Sequence, residues 1–159
     1  MAMIVFNADN IAENPSVGKV IDELGLASAE AQGIPNPMTS VAKLRANERL
    51  YLYSGDEMGD VAGFIKVGVK HLYHYDKKGV VKEIDPLCVL DFYVCGSFRR
   101  KGIGRKLING MMEAEEKNVR HLAWDKPTAM SLALLKKYYG MSNFVPQPNN
   151  FVVFEDFFA

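Results

Sequence analysis

The stretch from Leu87 to Leu107, Leu-Cys-Val-Leu-Asp-Phe-Tyr-Val-Cys-Gly-Ser-Phe-Arg-Arg-Lys-Gly-Ile-Gly-Arg-Lys-Leu, constrains the fold more than any other. An apolar, β-branched and aromatic run through Val94 stops at Gly96 and Ser97, and an amphipathic segment follows with Ile103, Leu107, Ile108, Met111 and Met112 on one side. The pattern predicts a strand, a tight turn and a helix. The turn gathers Arg99, Arg100, Lys101 and Arg105 around Gly102 and Gly104. Glycines let an anion approach the backbone, and the free N–H groups of a helix's first turn supply donors with a partial positive charge. A phosphate or pyrophosphate is the expected ligand. The spacing fits neither a Walker loop nor a dinucleotide fingerprint. A plain solvated helix cap is the alternative reading.

The rest of the chain predicts a mixed sheet with flanking helices. Its 159 residues suit one domain, 1–159, with residues 1–14 an edge strand or poorly ordered. A helix is expected from Ser16, with Ser16 as its cap and Val17, Val20, Ile21, Leu24 and Ala27 on one face; Gly18 and Gly25 weaken it by about 1 kcal/mol each. Ile34 to Met38 reads as a stiff, proline-bearing loop, and a second short helix is expected from Thr39 or Ser40. Strands follow at Arg49 to Ser54, Val61 to Tyr75, Val80 to Ile84 and Leu87 to Val94, with turns at Gly55 to Asp60 and Asp76 to Gly79. After the organising helix, Val119 to Trp124 predicts a strand parallel to its predecessor, because a crossover helix joins them. Asp125 to Thr128 opens a helix that stops at Gly140, and Asn150 to Phe157 is the last strand.

Lysine plus arginine number 19, as do aspartate plus glutamate, so net charge suggests no nucleic-acid or membrane partner. Cys88 and Cys95 lie too far apart along one strand to bridge and read as free thiols. The apolar runs include no signal peptide and none of membrane length, so an intracellular protein is expected. His71, His74 and His121 have no metal-ligand spacing with the cysteines, and no metal is expected.

The turn resembles the Gln/Arg-x-x-Gly-x-Gly/Ala motif by which the GNAT N-acetyltransferase superfamily holds the pyrophosphate of acetyl-CoA. Longer segments, Ile21 to Gly25, Pro86 to Tyr93, Arg100 to Gly104, Val145-Pro146-Gln147 and Asn149 to Val152, resemble the α-tubulin N-acetyltransferases, and the similarity runs from about Val20 to Phe158. This resemblance implies an α/β (α+β) fold of GNAT type: a mixed, mostly antiparallel sheet flanked by helices, with a parallel strand pair that splays at the acetyl-CoA site. It implies direct transfer of acetyl from acetyl-CoA to the ε-amine of a lumenal α-tubulin lysine. The alternatives are acetylation of another protein lysine or small amine, or a weakly catalytic microtubule module. A cytoplasmic, cytoskeleton-associated monomer is expected, with cilium or flagellum as a setting.

Carried onto this chain, the resemblance implies that Phe92-Tyr93-Val94-Cys95-Gly96-Ser97-Phe98-Arg99-Arg100-Lys101-Gly102-Ile103-Gly104-Arg105 and Thr128-Ala129-Met130-Ser131-Leu132-Ala133-Leu134-Leu135-Lys136-Lys137 line the coenzyme. It also places Gln32, Cys88 and Asp125 at catalytic positions and Lys43 and Asp91 at substrate positions. Arg99 stands where many relatives have glutamine and Lys126 where they often have arginine; Lys43, Cys95, Gly96 and the Ala129-Met130 pair also depart from the pattern.

The residues themselves leave alternatives open. A lysine amine with a pKa of about 10.4 needs help to lose its proton at neutral pH. Asp125, at a strand end, suits a general base if burial raises its pKa, and otherwise reads as a helix cap. Cys88 reads either as a proton-handling thiol or as a small core residue. Asp91, inside an apolar strand, either meets the target lysine or its loop or satisfies neighbouring backbone groups. The developing oxyanion would be met by a backbone N–H of the Leu90 to Val94 strand, freed by a bulge. Tyr138, Tyr139, Phe144 and Phe151 read as core.

Overall fold

The computed structural model describes residues 2–54, 61–98 and 101–159. A six-stranded sheet runs in the order β1 (Ala2–Phe6), β2 (Glu48–Ser54), β3 (Val61–Val69), β6 (Leu87–Val94), β7 (Leu122–Asp125), β8 (Phe151–Val153). Every pairing is antiparallel except β6 with β7. β4 (Leu72–Tyr75) and β5 (Val81–Ile84) form a separate hairpin. The helices are α1 (Ala8–Ile11), α2 (Pro15–Gln32), α3 (Ile103–Glu115) and α4 (Ala129–Tyr139).

α3 places Ile103, Leu107, Ile108 and Met111 on one face of the sheet, where Leu135 of α4 joins them. On the opposite face α2 contributes Val17, Ile21 and Leu24. Alongside α2, the β4–β5 hairpin covers Cys88, Leu90 and Ala123 with Leu72. That face is therefore covered by two units.

The register of β6 shifts once. Lys66 pairs with Asp91 and Val67 with Val89, leaving Leu90 as the extra residue of a bulge. The core-facing residues on the α3 side accordingly run Leu87, Val89, Phe92, Val94, with a step of three at the bulge. The shift brings Leu90 and Asp91 to the side of α2 and the hairpin.

Several expected elements differ. α2 begins at Pro15 with Asn14 at its cap, because proline fits the first helical position; Ser16 is inside the helix. Residues 39–44 make a single turn, closed by Lys43 and Leu44 N–H groups on the Ser40 carbonyl, and no helix. The long strand expected through Tyr75 breaks at Lys70 and His71, where the chain leaves the sheet for the hairpin. Val119–His121 is a 3-10 turn that shortens β7, and a further one at Glu155–Phe158 follows the short β8. The turn expected over Gly55 to Asp60 lies outside the described residues. The first residues do form an edge strand, followed by a short helix with an Asn7–Asn10 capping box.

Gly25 is a packing requirement. A Cβ there would lie 1.8 Å from the Thr39 carbonyl oxygen, so the loop after α2 crosses directly over the helix. At Gly18 the nearest atom would be a Val41 methyl at 3.2 Å, which can give way. Gly25→Ala should therefore cost about 2 kcal/mol or more and Gly18→Ala under about 1 kcal/mol, read from urea unfolding midpoints.

Candidate functional site

β6 and β7 pair only through Leu87–Leu122, Cys88–Ala123 and Val89–Trp124. β6 continues to Val94 beyond its last pairing with β7, so the two strands part after Val89. A cleft opens there, lined by Gln32, Met38, Asp91, Phe92, Trp124, Asp125, Lys126, Thr128 and Ser131 among others. A broader groove on the α2 side is lined by Lys43, Arg45, Glu48, Lys66 and Lys70 with the loop residues Asn36, Pro37 and Met38. Cleft and groove share Met38, Leu90 and Asp125. Asp125 thus stands where the two meet.

Burial pushes the Asp125 carboxyl above its ordinary pKa, and Lys126 and Lys66 offset part of that rise. Its position is set from behind. The Lys126 N–H donates to the Asn150 carbonyl at 3.2 Å, with both residues at positive φ, and Asn149 Oδ1 accepts from Phe151 N–H at 3.0 Å. Gln147 clamps the hairpin, accepting from Tyr75 N–H at 2.9 Å and donating to its carbonyl at 2.8 Å. The Pro-Gln-x-Asn-Asn-Phe-Val segment is therefore scaffolding for the Asp125 corner.

Asp91 is 5% exposed and gathers its neighbours. It accepts from Thr39 Oγ1 at 2.7 Å, Phe92 N–H at 3.0 Å, Ser28 Oγ at 3.1 Å and Gln32 Nε2 at 3.3 Å. One of these donors is backbone and three are side chains, and Asp91 also lines the cleft. Gln32 also donates to Ser28 Oγ at 2.9 Å, which sets its amide at the cleft wall.

Lys66 went unnoticed in the sequence, since one lysine in an apolar strand resembles a solvent-facing residue. It is 5% exposed, donates to the Met38 carbonyl at 2.6 Å, and burial lowers its pKa against the pull of Glu48 and Asp91. Lys43 reaches the Pro37 carbonyl and lines the groove. The loop from Pro37 to Thr39 is thereby tied down by two ammonium groups and one carboxylate.

Cys88 is fully buried, in the cluster with Leu72, Leu90, Ala123 and Val153, and lines neither cavity. Burial pushes its thiol up to about 12, so the near-ordinary acidity expected for proton exchange does not hold.

The presumed coenzyme turn fits an anion on one structural ground. α3 has Gly102 at its N-cap, at φ +75°, and no side chain among the described residues caps its start. A Cβ at Gly104 would lie 3.0 Å from Leu134 and 3.2 Å from Phe92, so the turn packs closely on α4 and β6. α4, by contrast, is capped by Thr128, whose Oγ1 accepts from Ser131 N–H at 3.1 Å. Ile103 and Leu135 are core residues, 3% and 0% exposed, with their side chains in the cluster between α3, α4 and the sheet. Met130, Lys136 and Lys137 are exposed on α4. Arg99 and Arg100 lie outside the described residues. Tyr138, expected in the core, is exposed, with the Arg105 guanidinium 4.2 Å from its ring centre.

A protein-family model described as GNAT acetyltransferase, Mec-17, matches residues 4–159. The chain belongs to that family. It is 46% identical over 149 residues to alpha-tubulin N-acetyltransferase 1 of Danio rerio, covering 91% of this chain and 50% of the relative. It is 42% identical to an alpha-tubulin N-acetyltransferase of Aedes aegypti, with 90% and 54% covered, and 46% identical to alpha-tubulin N-acetyltransferase 2 of Trypanosoma cruzi, with 88% and 43% covered. The chain spans about half the length of these relatives. Among solved structures, a Trypanosoma brucei acetyltransferase has a TM-score of 0.55 at 17% identity over 92% of this chain and 95% of its own. A Brucella melitensis ribosomal-protein-alanine N-acetyltransferase has a TM-score of 0.54 at 19% identity, with 86% and 90% covered. At such identities these two support the GNAT fold alone.

Asp91→Ala strands three side-chain donors at a buried position and should cost about 3 kcal/mol of unfolding free energy. In native protein a thiol reagent should modify Cys95, which is partly exposed, and reach Cys88 only at the rate of unfolding, as mass spectrometry of digests would show.

Proposed function

We propose that this protein transfers acetyl from acetyl-CoA to the ε-amine of a lumenal lysine of α-tubulin, as a monomer working on microtubules, by direct attack within a ternary complex. The observation that carries the reading is the placement of Asp125 where the cleft at the β6–β7 splay joins the basic groove. The names of the relatives supply the substrate, and the groove supplies a chemistry that suits it: Lys43, Arg45, Lys66 and Lys70 favour an acidic segment around the target lysine.

Acetyl-CoA, when bound, supplies an activated acyl carbon. The uncapped amides at Gly102 and beyond, with Lys101 and Arg105 near them, take the coenzyme's phosphates. The thioester end then lies along β6 beyond its last pairing with β7, where the bulge at Leu90 offers backbone for the carbonyl oxygen. Asp125 receives the lysine proton at its carboxylate, and its raised pKa brings it closer to the amine's. The incoming ammonium also enters among Lys66 and Lys70, and like charge favours loss of its proton. Gln32, fixed by Ser28 and Asp91, orients the backbone or side chain of the substrate at the cleft wall. Cys88 supports the Asp125 corner by packing, since its surroundings oppose a thiolate.

Asp125→Asn should lower kcat by about a hundredfold or more while acetyl-CoA affinity holds. The sign of the pH dependence follows from burial. Asp125 must be ionised to act, so activity rises with pH through its raised pKa, and the acid limb of the profile lies above the ordinary carboxylate value. An acid limb at that ordinary value, or one carried unchanged into Asp125→Asn, rules out this base. The substrate is tested by incubating polymerised tubulin, a histone tail and spermidine separately with acetyl-CoA and mapping the products by mass spectrometry. Modification of the histone tail or spermidine in preference to tubulin would overturn the assignment.

A further inference from the structure

Two buried side-chain nitrogens have no hydrogen-bond partner among the described residues, His74 Nδ1 and Trp124 Nε1. They are not equivalent. A neutral imidazole can leave one nitrogen without hydrogen, whereas an indole nitrogen always carries its proton and can only donate. Trp124 is 1% exposed and lines the cleft at the β6–β7 splay, with its ring packed edge-on against Phe92 at 6.2 Å. Successive residues of β7 point to opposite faces, so Trp124 lies on the α3 and α4 side while Asp125 faces the groove. The cleft holds a void of about 20 Å³, room for a single oxygen atom. Among the other donors on its wall, the Gln32 amide is engaged with Ser28 and Asp91, and the Thr128 and Ser131 hydroxyls share one hydrogen bond at 3.0 Å, which commits one of their two O–H groups. The indole N–H is the fully buried side-chain donor on that wall with no partner among the described residues.

We propose that Trp124 is a binding residue for the acyl donor, its indole N–H donating to a carbonyl oxygen of the coenzyme's reactive arm. This rests on the acetyl-CoA reading above and goes beyond it by assigning a side chain to the arm's carbonyl. The oxygen comes either from the acetyl group or from an amide of the pantetheine chain, the same acceptor chemistry in both. A buried N–H donor calls for an acceptor, and a carbonyl oxygen seated in the cleft would be one.

Trp124 is the chain's one tryptophan, so its ring can be read without interference. Ultraviolet resonance Raman spectra of the indole N–H band, taken on the free protein, with CoA and with acetyl-CoA, test the contact directly. A free N–H without ligand and a hydrogen-bonded one with acetyl-CoA are expected. A shift with acetyl-CoA alone identifies the acetyl oxygen, and an equal shift with CoA identifies the pantetheine amide. In parallel, Trp124→Phe should weaken acetyl-CoA binding about three- to tenfold by calorimetry, with the ring's packing largely kept. A band already hydrogen-bonded in the free protein, a band unmoved by a coenzyme that calorimetry shows to bind, or unchanged affinity in Trp124→Phe overturns the inference while leaving the acetyl-CoA reading intact. Failure of wild-type protein to bind either compound removes both.

Discussion

The carboxylate of Asp91 holds the site together. A charge buried to this extent is tolerated only when hydrogen bonds replace its water, and here they come from three separate elements: Ser28 and Gln32 on α2, Thr39 in the loop that crosses it, and the Phe92 amide of its own strand. Each donor is short or amide-like, so the elements must approach closely. Gly25 allows it by leaving no Cβ against Thr39. The bulge at Leu90 allows it from the other side, because without the extra residue Asp91 would point into the α3 face. One carboxylate, one glycine and one inserted residue thus depend on one another, and the wall of the cleft follows.

Much of this fold was legible because its signals are local. The strand Leu87 to Val94 and its helix carry period-two and period-3.6 patterns with glycine punctuation between them, and both stand where the pattern puts them, as does α4 between Thr128 and Gly140. The misses share a different character. The expected strand over Val61 to Tyr75 is rich in β-formers on both sides of the polar pair Lys70-His71, and the departure there is decided by the hairpin's packing on Cys88 and Leu90. The turn at 39–44 has helical spacing but is held by distant partners, with the Val41 N–H on Asp22 at 2.8 Å. Tertiary contacts overrode local preference in both places.

The candidate site divides in the same way. Asp125 was visible as a carboxylate at a strand end, but its neighbours were not, since Lys66, Glu48 and Lys70 come together through the pairing of β2 with β3 and of β3 with β6. The Asn-Asn-Phe-Val segment was noticeable for its wording, and its work as a brace for Lys126 emerged only from the hydrogen bonds. Cys88 shows the opposite effect. A thiol on the strand beside a proposed base invites a chemical role, and only its complete burial reveals how unfavourable a thiolate would be there.

A net charge of zero is compatible with a strongly polar site because the charges are sorted by position. Acidic side chains on the hairpin are matched locally, as where His71 sits between Asp85 at 2.7 Å and Glu83 at 3.0 Å, while Glu115 is taken up by Arg49 and Tyr51 far from the cleft. In the groove the balance runs the other way, with Lys43, Arg45, Lys66 and Lys70 against Glu48 and Asp125. Glu48 is buried and already committed to the Arg45 amide and, at 3.6 Å, to Lys70. Asp125 is therefore the carboxylate in that groove with capacity left for an incoming cation, and the surrounding ammonium groups both attract an acidic chain and disfavour a second ammonium at its centre. Under the mechanism proposed above, that opposition would resolve as the entering lysine gave its proton to Asp125, so the electrostatics that would recruit the substrate would also favour the first step of its chemistry.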